Sequence, residues 1–117
     1  MTDITLYHNP RCSKSRAALA LLEERGIQAT VVKYLDTPLN AQQVTTLLSK
    51  LGLTARDIMR SGESIYKEMN LDNPELDDKQ LIDAMVQAPI LIQRPILVVG
   101  DKAAIGRPMD NLIELLA

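Results

Sequence analysis

"ITLYHNPRCSKSRAALALLEERGIQATVVKYL", residues 4–35, decides the fold. Ile4 to Tyr7 alternates apolar and polar residues, the period-2 pattern of a short strand. Asn9-Pro10 stops that strand, because proline has no backbone N–H and suits neither a ladder nor a helix interior. From about Ser13 to Arg25, Ala17, Ala18, Leu21 and Leu22 with Leu19 supply an apolar helical stripe, and Gly26 is placed as its left-handed terminator. Ala29 to Leu35 is rich in β-branched residues and reads as a second strand. A helix of that length returns the chain to the same edge of the sheet, so the two strands should be parallel and joined by a right-handed crossover.

The character changes after Asp36. Thr37-Pro38 ends the strand, Asn40 with Gln43 resembles a capping pair, and Val44, Leu47, Leu48 and Leu51 repeat at helical spacing before Gly52. Thr54 is expected to cap a short helix through Ile58 and Met59, and further helices are expected over Ser64 to Met69 and Asp78 to Gln87. Residues 37–89 thus read as helical throughout. Pro95 precedes Ile96 to Val99, an unbroken apolar run suited to a buried strand. Gly100-Asp101-Lys102 signals a turn into a short strand at Ala103 to Ile105, and Asp110 is expected to cap a last helix. The order β-α-β, helical block, β-β-α predicts an α/β fold in which helices pack on a mixed sheet.

Length and composition narrow the function. The chain has 117 residues, which suits one domain. Tryptophan and phenylalanine are absent, so base-stacking platforms are not expected, and a formal charge of −2 argues against a general nucleic-acid or membrane-surface binder. The opening residues lack a signal-peptide pattern and no stretch approaches a membrane span, which points to the cytoplasm. A single cysteine, Cys12, cannot form an internal disulfide or a multi-cysteine metal site, so no metal is expected. Redox chemistry at Cys12 would need a thiol from another molecule.

Cys12 falls where a helix is expected to begin, and there the unpaired N–H groups and the positive end of the helix dipole favour an anion. Arg11, Lys14 and His8 could add positive potential, and the hydroxyls of Ser13 and Ser15 could donate to the sulfur. A lone cysteine is more commonly a small buried hydrophobe, and His8 could be a strand-end residue bonded to backbone. Spacing leaves both roles open. The C-x₅-R phosphatase loop is excluded, because Ala18 stands where its arginine would be. Two arginines, Arg94 and Arg107, each precede a proline, and either could be a solvated loop charge or a fixed fork matched to a tetrahedral oxyanion. A cis bond at Pro95 would form a tight turn beside the sheet.

With these elements placed, the chain resembles the ArsC family of glutaredoxin-coupled arsenate reductases, especially its short YfgD-like branch. The resemblance covers essentially the whole chain and rests on "YHNPRCSKSR" at 7–16, "YLDTP" at 34–38, "QLIDAMVQAPILIQRPI" at 80–96 and "IGRP" at 105–108. It implies a single thioredoxin-like domain over residues 1–117, a mixed sheet flanked by helices with a helical insert at about 37–89. It implies that Cys12 is the nucleophile, that His8 and Ser15 assist its thiolate, and that Arg60, Arg94 and Arg107 hold the oxyanion. Arg60 would otherwise read as a surface residue of the helical block. The implied reaction is reduction of arsenate to arsenite with glutathione as co-substrate and a glutaredoxin as partner, by a monomer with no bound cofactor. The active loop reads Cys12-Ser13-Lys14-Ser15 where well-characterised members carry C-G-T-S.

Two other functions fit parts of the pattern. A glutathione-dependent thiol reductase or deglutathionylase would need the fold and the thiol but not the arginines. A regulator that binds RNA polymerase, like the Spx-type proteins of this fold, commonly carries C-x-x-C as a redox switch, and Ser15 removes that switch here.

Overall fold

In the computed structural model, which describes residues 3–116, the opening stretch forms β1 (Ile4–His8), α1 (Ser13–Glu24) and β2 (Thr30–Lys33). β1 and β2 are parallel, with Leu6 opposite Val31 and His8 opposite Lys33. β3 (Ile96–Val99) runs antiparallel to β1 on its other side and β4 (Lys102–Ile105) antiparallel to β3, giving the order β2-β1-β3-β4. The sheet is mixed, as the element order predicts.

α1 ends as its sequence requires. Gly26 adopts φ 66, its N–H donates to the Glu23 carbonyl, and the Ile27 N–H reaches back to Leu22, a pair of bonds that closes the last turn. β2 is shorter than the apolar run Ala29 to Leu35 suggests. Its ladder partner β1 stops at His8, and the Lys33 carbonyl instead accepts from the N–H groups of Asp36 and Thr37, folding the chain into a turn. Leu6 and Leu97 from the sheet, Ala18 and Leu22 from α1, and Leu112 from the last helix, α5 (Asp110–Leu116), form one buried cluster. Each such leucine contributes roughly 1.5–3 kcal/mol of transfer free energy. Asp110 is the first residue of α5 rather than a residue preceding it, a one-position difference within the fraying of helix ends.

The chain divides into two units, one comprising the residues up to Thr37 and from Arg94 onward, the other Pro38 to Gln93. The second unit holds α2 (Ala41–Leu51), α3 (Ser64–Glu68) and α4 (Asp78–Gln87). α2 and α4 begin with complete capping boxes, Asn40 with Gln43 and Asp77 with Gln80, in which each side chain satisfies the other residue's backbone N–H. The short helix expected after Thr54 is present, but it is tighter and ends earlier than expected, and Thr54 does not cap it. The segment Arg56–Ile58 is a single 3-10 turn, Met59 is already extended, and the Thr54 N–H donates to the Asp57 carboxylate. Met59 is extended because it bridges Ile92, flanked by bonds from the Arg60 N–H to Leu91 and from the Gln93 N–H to Ile58. The block is therefore not helical throughout. Among the described residues no helix is long and apolar enough to cross a membrane.

Candidate active site

Asn9 and Pro10 carry the chain from β1 into α1. The Asn9 carbonyl accepts the Cys12 N–H at 3.0 Å, and the Asn9 side-chain oxygen accepts the Arg11 N–H at 3.0 Å. Cys12 is the N-cap of α1, with extended backbone (φ −94, ψ 124), and its carbonyl accepts the first helical bond from Arg16. Its sulfur is thus delivered to the end of the helix where backbone N–H groups lack partners. The half-buried thiol makes no ordinary side-chain capping bond, yet the field there is strong. Burial alone would push the thiol up, but the N–H groups of Ser15 and Lys14 and the Arg94 and Arg107 guanidinium groups outweigh it and bring it down to about 7. About half of the thiol is then thiolate at neutral pH, against a few per cent for an ordinary cysteine.

Two arginines reach this sulfur from the far end of the chain. Arg107 donates from Nη2 to Cys12 Sγ at 3.2 Å and from Nε to the Arg94 carbonyl at 2.7 Å, so one fork spans the thiol and the neighbouring loop. Arg94 stands just before β3. Its Nε and Nη1 are buried with no hydrogen-bond partner among the described residues. Unpaired buried donors are costly, and a guanidinium that keeps two of them has bonds to give to an oxyanion. The Arg94–Pro95 and Arg107–Pro108 peptide bonds are both cis. Pro95 is buried, its carbonyl accepts the Gly106 N–H, and a Cβ on Gly106 would meet its Cγ at 2.7 Å.

His8 and Ser15 lie beneath the loop, 4% and 0% exposed. His8 Nδ1 and Ser15 Oγ are 2.7 Å apart, and the same hydroxyl accepts the Asn9 N–H at 3.0 Å. Burial first, then the Lys33 charge, holds the imidazole below its ordinary range despite the opposing Ser15 bond, so His8 is neutral at pH 7. Arg11 and Lys14 are exposed beside the loop, and neither side chain forms an ion pair among the described residues. Arg60 belongs to the second unit, where its Nε lies 3.3 Å from Glu63 Oε2.

Three contributors escape a reading by pattern. Asn9 registers in the sequence only as a strand stop, although Asn before Pro is a known signal for side-chain-to-backbone bonding two residues on. Arg16 closes the loop from outside by donating to the Pro10 carbonyl at 2.9 Å. Gly106 enters the sequence only as part of IGRP, and its need for a missing Cβ is not visible there, since it arises from Pro95 and Leu112, which lie apart from it in the sequence. Among the described residues no group of three or more His, Cys, Asp or Glu side chains is arranged to hold a metal ion.

Comparison with known proteins decides the family. The ArsC family pattern matches residues 7–115. An arsenate reductase of Neisseria meningitidis is 53% identical over 117 residues, covering 99% of this chain and 100% of that protein. The chain belongs to the ArsC family. Within it, the Escherichia coli K12 protein YfgD is 48% identical over 115 residues, covering 97% of both chains. The solved arsenate reductase from Vibrio cholerae superposes with a TM-score of 0.93 at 45% identity, covering 97% of each. The mixed four-stranded sheet with flanking helices is accordingly the thioredoxin-like fold of the ArsC proteins.

Proposed function

We propose that this ArsC-family chain reduces arsenate to arsenite, with Cys12 as nucleophile and glutathione and a glutaredoxin supplying the electrons. The observation that carries this reading is the meeting of Cys12 Sγ with Arg107 Nη2 at 3.2 Å beside an Arg94 guanidinium with two unpartnered buried donors. A thiolate and an oxyanion cradle occupy one place. Arg94 and Arg107, joined by Arg60 as the family resemblance implies, neutralise arsenate and present arsenic to the sulfur. The thiolate attacks arsenic, an As–S bond forms and hydroxide leaves, taking up a proton as water. A glutathione thiolate then attacks Cys12 Sγ. An S–S bond forms, the As–S pair of electrons stays on arsenic, and arsenic departs as arsenite, reduced by two electrons. A glutaredoxin thiolate attacks the glutathione sulfur of the mixed disulfide and releases the Cys12 thiolate for the next cycle. The second thiol comes from outside because this chain has no other cysteine.

His8 and Ser15 assist by fixing the first turn of α1 under the sulfur, while Arg11 and Lys14 add positive potential at its rim. The enzyme acts as a cytoplasmic monomer, one thioredoxin-like domain whose helical segment is inserted between β2 and β3, without a bound cofactor. The test is arsenite production with glutathione and glutaredoxin, comparing wild type with Cys12→Ser. Turnover is expected only for wild type, and equal turnover by both proteins would remove Cys12 as the nucleophile. A variant lacking Arg60, Arg94 and Arg107 should lose arsenate reduction while still accepting a generic glutathione mixed disulfide. Retained arsenate turnover would remove the three arginines as the oxyanion site.

A further inference from the structure

We propose that Asn9 is a positioning residue for the nucleophile, a clamp whose side-chain oxygen fixes the Arg11 N–H and whose backbone fixes Cys12 and Ser15. Three observations support it. Asn9 is 3% exposed, one of three buried polar residues among those described, and the other two are His8 and Ser15 of the same loop. A buried amide side chain persists only where its polar atoms are used. Its Oδ1 accepts from the Arg11 N–H, its carbonyl accepts from the Cys12 N–H and its N–H donates to Ser15 Oγ, each at 3.0 Å. The residue thus holds positions two, three and six places ahead, and among the described residues it alone ties the end of β1 to both Cys12 and Ser15.

The side-chain bond is the part that sequence can change. An asparagine oxygen on the N–H two residues on makes a turn that mimics a backbone turn, and here that turn precedes the N-cap. Without it, Pro10-Arg11 loses its anchor and Cys12 can swing away from the Lys14 and Ser15 N–H groups and from Arg107 Nη2. The charged groups facing the sulfur in this unit are Arg94 and Arg107, with neutral His8 behind the loop. All of them act through distance, so a loosened turn weakens each together.

The inference rests on Cys12 being the reacting thiol, but its test does not need arsenate. Cys12 alkylation by iodoacetamide is followed from pH 5 to pH 9 in wild type, Asn9→Leu and Asn9→Ser, with circular dichroism confirming the fold. Leucine keeps the volume and removes the acceptor, whereas serine keeps a shorter acceptor. Asn9→Leu should titrate higher, and a rise of about one unit lowers alkylation at pH 7 about five-fold. Asn9→Ser should recover part of the loss. In the arsenate assay, Asn9→Leu should lower kcat with little change in KM, since the arginines are untouched. A folded Asn9→Leu that titrates and turns over like wild type overturns the proposal, as does an Asn9→Ser no better than Asn9→Leu. If Asn9→Leu does not fold, Asn9→Ala is held to the same criteria. A wild type inactive on arsenate would refute the proposed function, and the alkylation series would still decide the role of Asn9.

Discussion

Arg107 uses one guanidinium for two acceptors, the Arg94 carbonyl through Nε at 2.7 Å and the Cys12 sulfur through Nη2 at 3.2 Å. A lysine has one point of charge and cannot reach both with fixed geometry. Arg107→Lys is therefore expected to raise the thiol's titration and to lower kcat/KM for arsenate roughly 10²-fold, the scale of losing one preorganised donor, as read by alkylation profiles and steady-state kinetics. Arg94→Gln should behave differently. Removing the guanidinium whose Nε and Nη1 have no partner should raise KM for arsenate more than Arg107→Lys does and, because Arg94 also holds the thiol down, should slow alkylation at pH 7 as well. At this scale the sequence is informative where chemistry is local. His8, Cys12 and Ser15 sit within eight positions, and a strand stop followed by a helix start suffices to suspect them. Arg94 and Arg107 are visible only as arginines before prolines until the fold carries them to Cys12. The proposed role of Arg60 comes from the family resemblance alone, since the residues beside it in the sequence carry no signal that marks it.

The turn between β4 and α5 brings Arg107 to its place, and Gly106 is the residue that lets it close. A Cβ there would stand 2.7 Å from Pro95 Cγ and 3.0 Å from Leu112 Cδ1, and the proline ring cannot rotate away. Gly106→Ala should cost about 1–3 kcal/mol in urea unfolding, the scale of overpacking, and should also slow Cys12 alkylation because Arg107 moves with the turn. In the second unit the Asn40–Gln43 capping box predicts a purely structural effect. Asn40→Ala should cost about 1 kcal/mol in unfolding and leave the alkylation profile unchanged. Elements with such punctuation are the ones the sequence reveals, as Gly26 and Gly52 at φ 66 and φ 68 also show. Elements set by partners are not. β2 ends where β1 runs out of ladder, and Arg56–Ile58 tightens to a 3-10 turn because Met59 must extend to bridge Ile92.

For the whole molecule, the site's electrostatics should appear in the dependence of stability on pH. The Cys12 thiol is brought down to about 7 in the folded chain, below its value when unfolded. Between about pH 7 and the ordinary cysteine value near ~8.5, the unfolded chain holds a proton that the folded chain has released, so stability rises with pH across that window. The contribution is complete above it and is lost as pH falls through about 7. His8 acts in the same direction at lower pH, since burial and Lys33 hold its imidazole down and acidification favours the unfolded chain, which protonates first. Serine at position 12 keeps the size of the side chain but does not titrate, so subtracting its unfolding curve isolates the thiol from His8 and the carboxylates. Wild type should gain on Cys12→Ser in urea midpoint as pH is raised from 6 to 9, with most of the gain between 7 and 8.5. A difference that stays flat over that range would mean that the folded chain does not favour the thiolate, and the helix terminus and the two arginines would then have no hold on the sulfur.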